Sequence, residues 1–347
     1  MLKLGVWKPE QFYATPPRDM LRSLYYRLSR SRISLRLLRE SEHDPTAGTA
    51  LFERLMPHIQ LSNGIWRTTF KHRFSNLDVE VNRILRESFS PQEPITVEDW
   101  AASTCLTSCE WAETLFPIFC RAHFVASDRE LFLVEVERGN TGEIFVAEPE
   151  GRPLQFIRPP MVVRLEPPEP RLLPVNRLLY LWALRRWKAA AKAWPLPDTW
   201  LADPTGAARF DRVEFRFRKL PLIHPRALGL ARSDSRFTIR RHSVFQQAPS
   251  PCHAIRSMNI LNRGYFGEAE LIAAARCAIA SLRPGGIWIV GRTICEDPPT
   301  HDVSVFRKPP SGAIEVITRI GAGAEIQELV LAAGLEECHV PGKKQLP

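Results

Sequence analysis

Two aspartates lie at the ends of apolar stretches, and a turn of very small residues follows the first of them. In VEDWAASTCLTSCEW, residues 97–111, Asp99 precedes Ala101 and Ser103, and a helix N-terminus follows. Backbone N–H groups at such a terminus favour negative charge. Asp128, at the end of VASD, is of the type that accepts hydrogen bonds from ribose hydroxyls. These residues predict a pocket for an adenosine-type cofactor, although an aspartate at a strand end is also a common helix cap.

The apolar runs predict the elements that position this turn. PITVEDWAAS is typical of a strand, LTSCEWAETLF of a helix and CRAHFVASD of a second strand. The alternation resumes with HPRALGLARSD, RFTIRRHSVF, PCHAIRSMNIL, GEAELIAAARCAIASL and GIWIVGRT. Strands that alternate with helices indicate a parallel sheet covered on both faces. Ligands of such doubly wound sheets bind at the carboxyl ends of the strands, where the turn is expected.

The chain is expected to have three parts. Residues 1–92 are predicted to form a helical N-terminal region, and 93–128 with 223–340 a doubly wound, mostly parallel α/β domain that ends in an antiparallel hairpin. Between its halves, 129–222 shows period-two alternation, followed by the strong helix VNRLLYLWALRRWKAAAKAW. This stretch is predicted to be an inserted lid of β-hairpins and a helix.

The turn resembles the first motif of class I S-adenosylmethionine-dependent methyltransferases, in the variant D-x-G-x-S-x-G followed by a helix. Asp99 falls on the aspartate of the motif and Ser103 on its serine, whereas Ala101 and Cys105 stand where the family has glycines. Asp128 falls on the acidic residue that closes the second strand. The resemblance implies a Rossmann-like methyltransferase domain.

A second part of the resemblance follows the third and fourth strands. RFTIRRHSVF is similar to the third strand and its loop, with Ser243 where the family usually carries aspartate and Val244 after it. AIRSMNILNRGYFGEAEL and SLRPGGIWIVGRT are similar to the chemotaxis-receptor methyltransferase type, with Asn259 on the asparagine of its fourth-strand motif. The resemblance covers roughly 95–128 and 224–293, under half of the chain.

The resemblance implies that S-adenosylmethionine is the cofactor and that a methyl group is transferred to a small molecule or a protein. The cofactor would be held in a pocket formed by Asp99, Ala101, Ser103, Cys105 and Asp128.

Further residues would complete this site: Ser243 and Val244 flanking adenine, and Asn259, Asn262 and Tyr265 at the methyl-transfer end. Methyl transfer needs mainly alignment of the methyl group with a nucleophile, so no strong base is required. The alternative for the last three is that they cap a strand end and begin a helix.

Three departures from the family pattern leave a second function open. Alanine at position 101 is tolerable if its φ angle is negative, and Cys105 adds bulk where the amino-acid end of the cofactor would lie. Ser243 cannot accept the exocyclic amine of adenine as a carboxylate would. The alternative is a non-catalytic scaffold of the same fold that binds a protein partner or a membrane surface through its insertion.

The net charge of +9 is spread along the 347 residues, and only 21–39 is densely basic. A basic surface attracts nucleic acid, anionic lipid or acidic protein, yet a spread excess is more often a matter of solubility. A nucleic-acid substrate ranks low because no Asn-Pro-Pro-Tyr-type motif is present. The basic, tryptophan-containing helix 175–194 is predicted to pack as a lid, with weak contact to a membrane surface as the alternative.

The remaining patterns exclude several classes of site. Seven cysteines without a secretory signal favour reduced thiols and a cytoplasmic protein. Histidines and cysteines lack zinc-like spacing, so no metal is predicted. No stretch offers the ~20 uncharged apolar residues that cross a bilayer, so no transmembrane segment is expected.

Overall fold

The chain is described by a computed structural model over residues 5–6, 8–13, 33–41, 45–62, 64, 67, 69–166, 174–194, 196–311 and 313–338. It separates into two compact units. The insertion unit comprises the described residues of Met1–Thr69 with Glu130–Leu228, and the parallel-sheet unit those of Phe70–Arg129 with Gly229–Pro347.

The helices of the described residues are α1 Pro9–Tyr13, α2 Leu37–Glu40, α3 Pro45–Leu55, α4 Ser75–Ser88, α5 Leu106–Leu115, α6 Pro174–Ala191, α7 Asp198–Ala202, α8 Pro225–Ser233, α9 Glu268–Ser281 and α10 Gln327–Cys338. The strands are β1 Thr96–Trp100, β2 His123–Asp128, β3 Phe132–Arg138, β4 Glu143–Ala147, β5 Pro153–Arg158, β6 Met161–Arg164, β7 Arg209–Arg212, β8 Phe215–Pro221, β9 Phe237–Arg241, β10 Cys252–Met258, β11 Leu282–Glu296, β12 Pro299–Arg307 and β13 Glu315–Ile320. None of these helices has the length and apolar character needed to cross a membrane.

The parallel-sheet unit confirms the predicted α/β fold. Its sheet has the order β13-β12-β11-β10-β1-β2-β9. The adjacent strands β11, β10, β1, β2 and β9 are parallel. β12 and β13 close the sheet as antiparallel strands, as the sequence predicted. The central strands β1 and β10 are almost entirely buried because helices cover both faces. The neighbours of β1 are β2 on one side and β10 on the other, so the strand order reverses at β1.

Helices fix the two faces of this sheet. On one face, α9 and α10 pack through small and branched residues such as Ala274, Ala278 and Val330 against a cluster that includes Trp100 and Trp288. α4 and α5 pack together and are joined by hydrogen bonds of the Asn82 amide to the Trp111 indole and the Thr114 hydroxyl, at 2.9 and 3.1 Å.

The insertion unit has a six-stranded antiparallel sheet in the order β6-β5-β4-β3-β8-β7. Side chains alternate between its faces because successive residues of a strand point to opposite sides. One face contributes Leu133, Val146 and Ile157 to a core shared with residues of the N-terminal helices. The Gln155 amide also binds the N-terminal segment, accepting from the Leu35 N–H at 2.9 Å.

This packing corrects the predicted domain division. The described residues up to 62 belong with the insertion, and only α4 of the predicted helical region 1–92 belongs to the parallel-sheet unit. The reason is that the apolar residues of the N-terminal helices cover the sheet face that the insertion would otherwise leave exposed. Most of the basic stretch 21–39 lies outside the described residues.

The other face of the antiparallel sheet is covered by α6. Trp182 contacts Phe156 at 5.0 Å and Trp187 contacts Phe145 at 5.3 Å between ring centroids. The helix predicted over 175–194 therefore does pack on a sheet, but on that of its own unit. The stretch FDRVEFRFRKL lies in the hairpin of β7 and β8.

Candidate functional site

The turn after β1 has a strained backbone. Ala101, Ser103 and Cys105 have φ angles of +58°, +53° and +59°, the left-handed region that non-glycine residues rarely adopt. Each such residue costs roughly 1–2 kcal/mol relative to glycine. The condition under which alanine would be tolerated at position 101 without strain, a negative φ, is therefore not met. The turn thus has a conformation that favours glycine, although none of these three residues is glycine.

Asp128 and the neighbouring strand hold this turn. The Ser103 N–H donates to Asp128 Oδ2 at 2.7 Å, and the Ala102 N–H donates to the Ser127 carbonyl at 2.9 Å. The turn closes on itself through the Cys105 N–H and the Ala102 carbonyl, at 2.8 Å. The predicted ribose-binding carboxylate thus also caps the turn, which couples the ends of β1 and β2.

The larger residues at the glycine positions are accommodated within the protein. Cys105 is fully buried, so its side chain does not lie on the outer surface of the turn, contrary to the expected obstruction. Ala101 packs against the cluster that contains Trp100 and Val244. The surface of the turn is therefore less altered than the sequence alone indicates.

Replacing Ala101 with glycine is expected to raise the free energy of unfolding by ~0.5–1 kcal/mol, because relief of left-handed strain exceeds the entropy that glycine adds to the unfolded chain. Ala102→Gly is the matched control, because Ala102 is not among the residues with positive φ. This variant should have a free energy of unfolding ~1 kcal/mol lower than that of the wild type. Urea denaturation of both variants measures the difference. Equal destabilisation of both would contradict the observed turn conformation.

Asp99 is occupied by an internal ion network. Its carboxylate accepts two hydrogen bonds from Arg256, at 2.9 and 2.6 Å, and one from the Ser108 hydroxyl at 2.6 Å. Arg256 is fully buried, also binds Asp78 at 2.5 Å, and lies 4.4 Å from the centroid of the Trp111 ring. The carboxylate of Asp99, predicted to enclose a cofactor hollow together with Asp128, is therefore bound from the β10 side by residues of the protein itself.

The network holds two carboxylates and one guanidinium in the interior. Burial raises the pKa of Asp78 to about 7, against the attraction of Arg256 and with the repulsion of Asp99. Although burial alone would lower it, the two carboxylates raise the pKa of Arg256. The arginine thus stays charged, and Asp78 is the member of the network that titrates in the neutral range.

The stability difference between Asp78→Asn and the wild type is expected to depend on pH. Because the pKa of Asp78 is higher in the folded state than the ordinary 3.8, folded protein binds the proton more tightly, and stability falls as pH rises from about 4 to about 7. The asparagine variant would escape this loss, so it should gain up to ~1.4 kcal/mol per pH unit over that window. Denaturation of both proteins from pH 4 to 8 measures this stability difference. If the variant becomes less stable relative to the wild type as the pH rises, the raised pKa is contradicted.

The loop after β9 lies beside the same edge of the sheet. The His242 N–H donates to the Asp128 carbonyl at 3.1 Å, and the His242 ring lies 4.6 Å from the Trp100 ring. Burial, and then Arg240, lower the pKa of His242 to about 4. Val244 is buried in the cluster with Trp100, so it contributes to the core rather than to an open wall. Ser243 accepts the Phe245 N–H at 3.3 Å.

The three residues predicted for the methyl-transfer end differ in their surroundings. The Asn259 side chain accepts the Thr293 N–H at 2.7 Å and donates to the Thr293 hydroxyl at 3.3 Å, which joins the ends of β10 and β11. Asn262 stabilises the following turn by accepting the Gly264 N–H at 3.0 Å. Tyr265 is 52% exposed. Asn259 thus makes a strand-end contact as in the alternative interpretation, whereas Asn262 lies in a turn and the N-cap of the following helix is Gly267.

Sequence reasoning missed Arg256. It stands in the apolar strand CHAIRSM, where a charged residue needs a partner. In the parallel pairing of β1 and β10 it is aligned with Asp99, which supplies that partner. The signal was therefore present as a charge within a buried strand, but the strand register was needed to interpret it.

No family model matches the chain, and no curated protein matches it. Among solved structures it is similar to the sugar N-methyltransferase KedS8 from Streptoalloteichus sp ATCC 53650, at 10% identity over 75% of this chain and 77% of that one, with a TM-score of 0.30. It is similar to CalS10, a SAM-bound amino pentose methyltransferase from Micromonospora echinaspora, at 12% identity over 74% and 80%, with a TM-score of 0.29.

A third similar structure is PKMT2 from Rickettsia typhi with AdoHcy, at 8% identity over 57% of this chain and 21% of that one, with a TM-score of 0.24. At TM-scores this low the similarities carry no argument, so the fold assignment rests on the strand order of the chain itself. The similarity to the chemotaxis-receptor type stays a prediction.

Two further features lie away from the turn. A cavity of about 510 Å³ in the insertion unit is lined by Lys8, Ser34, Arg36, Arg39 and Ile157, among others. Within the described residues, no group of three or more histidine, cysteine or acidic side chains is placed to hold a metal ion.

Proposed function

We propose that the carboxyl ends of β1 and β2 bind S-adenosylmethionine and that the protein is a methyltransferase. The observation that carries the proposal is the turn 101–105, in which three non-glycine residues are held in the left-handed conformation. Strain of this kind persists where the surroundings impose it, and it clusters at functional sites. The turn also lies where the strand order reverses, which is where open α/β sheets bind their ligands.

The residues present fit a nucleoside cofactor in part. Asp128 accepts the Ser103 N–H through one oxygen, and a carboxylate with two oxygens can accept ribose hydroxyls as well. The N-terminus of α5, which follows the turn, favours negative charge from the carboxylate end of the cofactor. Asp99 has a different role in this proposal: with Arg256 it fixes β1 against β10 beneath the turn.

S-adenosylmethionine, when bound, supplies an electrophilic methyl group. The chain has to hold the acceptor in line with it and exclude water. We place the acceptor beside the loop after β10, where Tyr265 is exposed and Asn259 fixes the backbone between β10 and β11. The acceptor is proposed to be a small molecule or a protein, and Tyr265 is the side chain best placed to contact it.

Calorimetric titration with S-adenosylhomocysteine tests the proposal. A dissociation constant between ~10 μM and ~1 mM is expected, because several contacts of ~1 kcal/mol each are weaker than in the glycine-containing motif. Absence of heat at millimolar ligand, from protein that unfolds cooperatively, would overturn it.

One observation favours the second candidate, a non-catalytic scaffold of the same fold. Arg256 compensates the charge of Asp99, the first aspartate of the motif, from within the protein. A scaffold predicts that neither S-adenosylhomocysteine nor adenosine binds at the turn. The same titration, repeated with adenosine, therefore separates the two functions.

A further inference from the structure

The helix α6 has distinct inner and outer sides. Its inner side packs on the antiparallel sheet through Asn176, Ala183, Trp187 and Ala190, which are buried. Arg186 also points to the sheet, where it donates to Glu143 at 2.7 Å. These contacts fix which side chains of the helix face outward.

The outer side carries a single stripe of residues, spaced alternately three and four apart, as neighbours on one helix face are. Along the chain the members of this α6 stripe are Leu178, Leu181, Arg185 and Lys188, with Lys192 in the turn just after the helix. Leu178 is 68% exposed and Leu181 51%, and Val175 beside them is 52% exposed. The stripe is thus apolar in its first half and basic in its second.

No acidic residue lies on α6 to neutralise the basic half of the stripe. Arg177 adds a further positive charge beside the leucines. Near the end of the helix, the Arg212 guanidinium donates to the Ala193 carbonyl at 2.6 Å, which brings the tip of the β7–β8 hairpin close. Val213 at that tip is fully exposed and adds an apolar side chain at the end of the helix that carries the basic half of the stripe.

We infer that the α6 stripe docks on an anionic lipid surface. Exposed leucines next to basic side chains suit an interfacial helix, whose apolar residues enter the boundary between headgroups and acyl chains while lysine and arginine bind anionic headgroups. Beside the two leucines the stripe carries only positive charge, which complements the negative surface of an anionic bilayer. The inference is independent of cofactor binding.

Sedimentation of the full chain with vesicles tests the inference. Protein is expected to pellet with phosphatidylcholine vesicles that contain phosphatidylglycerol at about 30 mol%, to stay in solution with phosphatidylcholine alone, and to be released at high salt. The double variant Leu178→Asn/Leu181→Asn should bind ~10-fold more weakly, and so should Arg185→Gln/Lys188→Gln. All four side chains are partly or largely exposed, so their replacement leaves the fold intact, which the urea midpoint checks.

Val79→Asn/Leu335→Asn is the matched control, because these residues of the parallel-sheet unit are 70% and 55% exposed and lie on other helices. It should bind as the wild type does. Equal binding by the leucine variant and the wild type would overturn the inference, since charge alone would then explain the adsorption. Failure to pellet at low salt, with retention on heparin, would overturn it in favour of an acidic macromolecule.

Discussion

Replacing Arg256 with methionine is expected to lower the free energy of unfolding by ~3–5 kcal/mol, the cost of breaking a buried ion pair by removing one partner. Methionine fills much of the space between Trp111 and Phe74, so loss of packing contributes little. The loss arises because Asp78 and Asp99 remain buried without a counter-charge. Urea denaturation followed by tryptophan fluorescence measures it.

A triple variant separates charge from shape. When Arg256→Met is combined with Asp78→Asn and Asp99→Asn, no uncompensated charge remains, and most of the lost stability should return. If Arg256→Met alone costs less than ~1 kcal/mol, a range typical of exposed ion pairs, the network does not stabilise the β1–β10 junction as described.

Replacing Asp128 with alanine is expected to weaken S-adenosylhomocysteine binding by at least ~100-fold. The variant loses the acceptor proposed for the ribose hydroxyls and the bond that holds the Ser103 N–H. Hydrogen bonds to a charged group contribute ~1.5–3 kcal/mol each, so two of them account for that factor. Calorimetric titration of the variant provides the measurement.

Asp128→Asn is the matched control for this prediction. Its amide oxygen can still accept the Ser103 N–H, so the turn should keep its shape while the charge is lost. An affinity between those of the wild type and the alanine variant is expected. Unchanged affinity in Asp128→Ala would mean that the nucleoside binds elsewhere.

The regular elements of the parallel-sheet unit could be predicted because their patterns are local. β1, β10 and the middle of β11 are largely buried and alternate with helices, and α9 ends where the Leu-Arg-Pro-Gly-Gly stretch of β11 begins. The sequence could not predict to which of the two units the N-terminal helices belong, because an apolar helix face does not specify which sheet it covers. That choice depends on contacts such as those of Gln155 with residues more than a hundred positions away.

The contact between the turn and Asp128 could be anticipated from the sequence, whereas the backbone angles of the turn could not. The turn and Asp128 were identified from residue type and spacing, and the structure brings them together. The left-handed angles at Ala101 and Ser103 could not be predicted, because non-glycine residues disfavour them locally and only the bonds to β2 impose them. The ion pair between Asp99 and Arg256 could be predicted only from the register of two strands that are over 150 residues apart.

A crystal structure of the protein grown with S-adenosylhomocysteine tests the cofactor proposal most directly. It should show the nucleoside at the carboxyl ends of β1 and β2, with ribose hydroxyls on Asp128 and the left-handed turn 101–105 unchanged. The proposal would be contradicted if the nucleoside lay in the cavity beside Arg36 and Arg39. It would also be contradicted if no ligand were bound at the turn 101–105 at a saturating concentration.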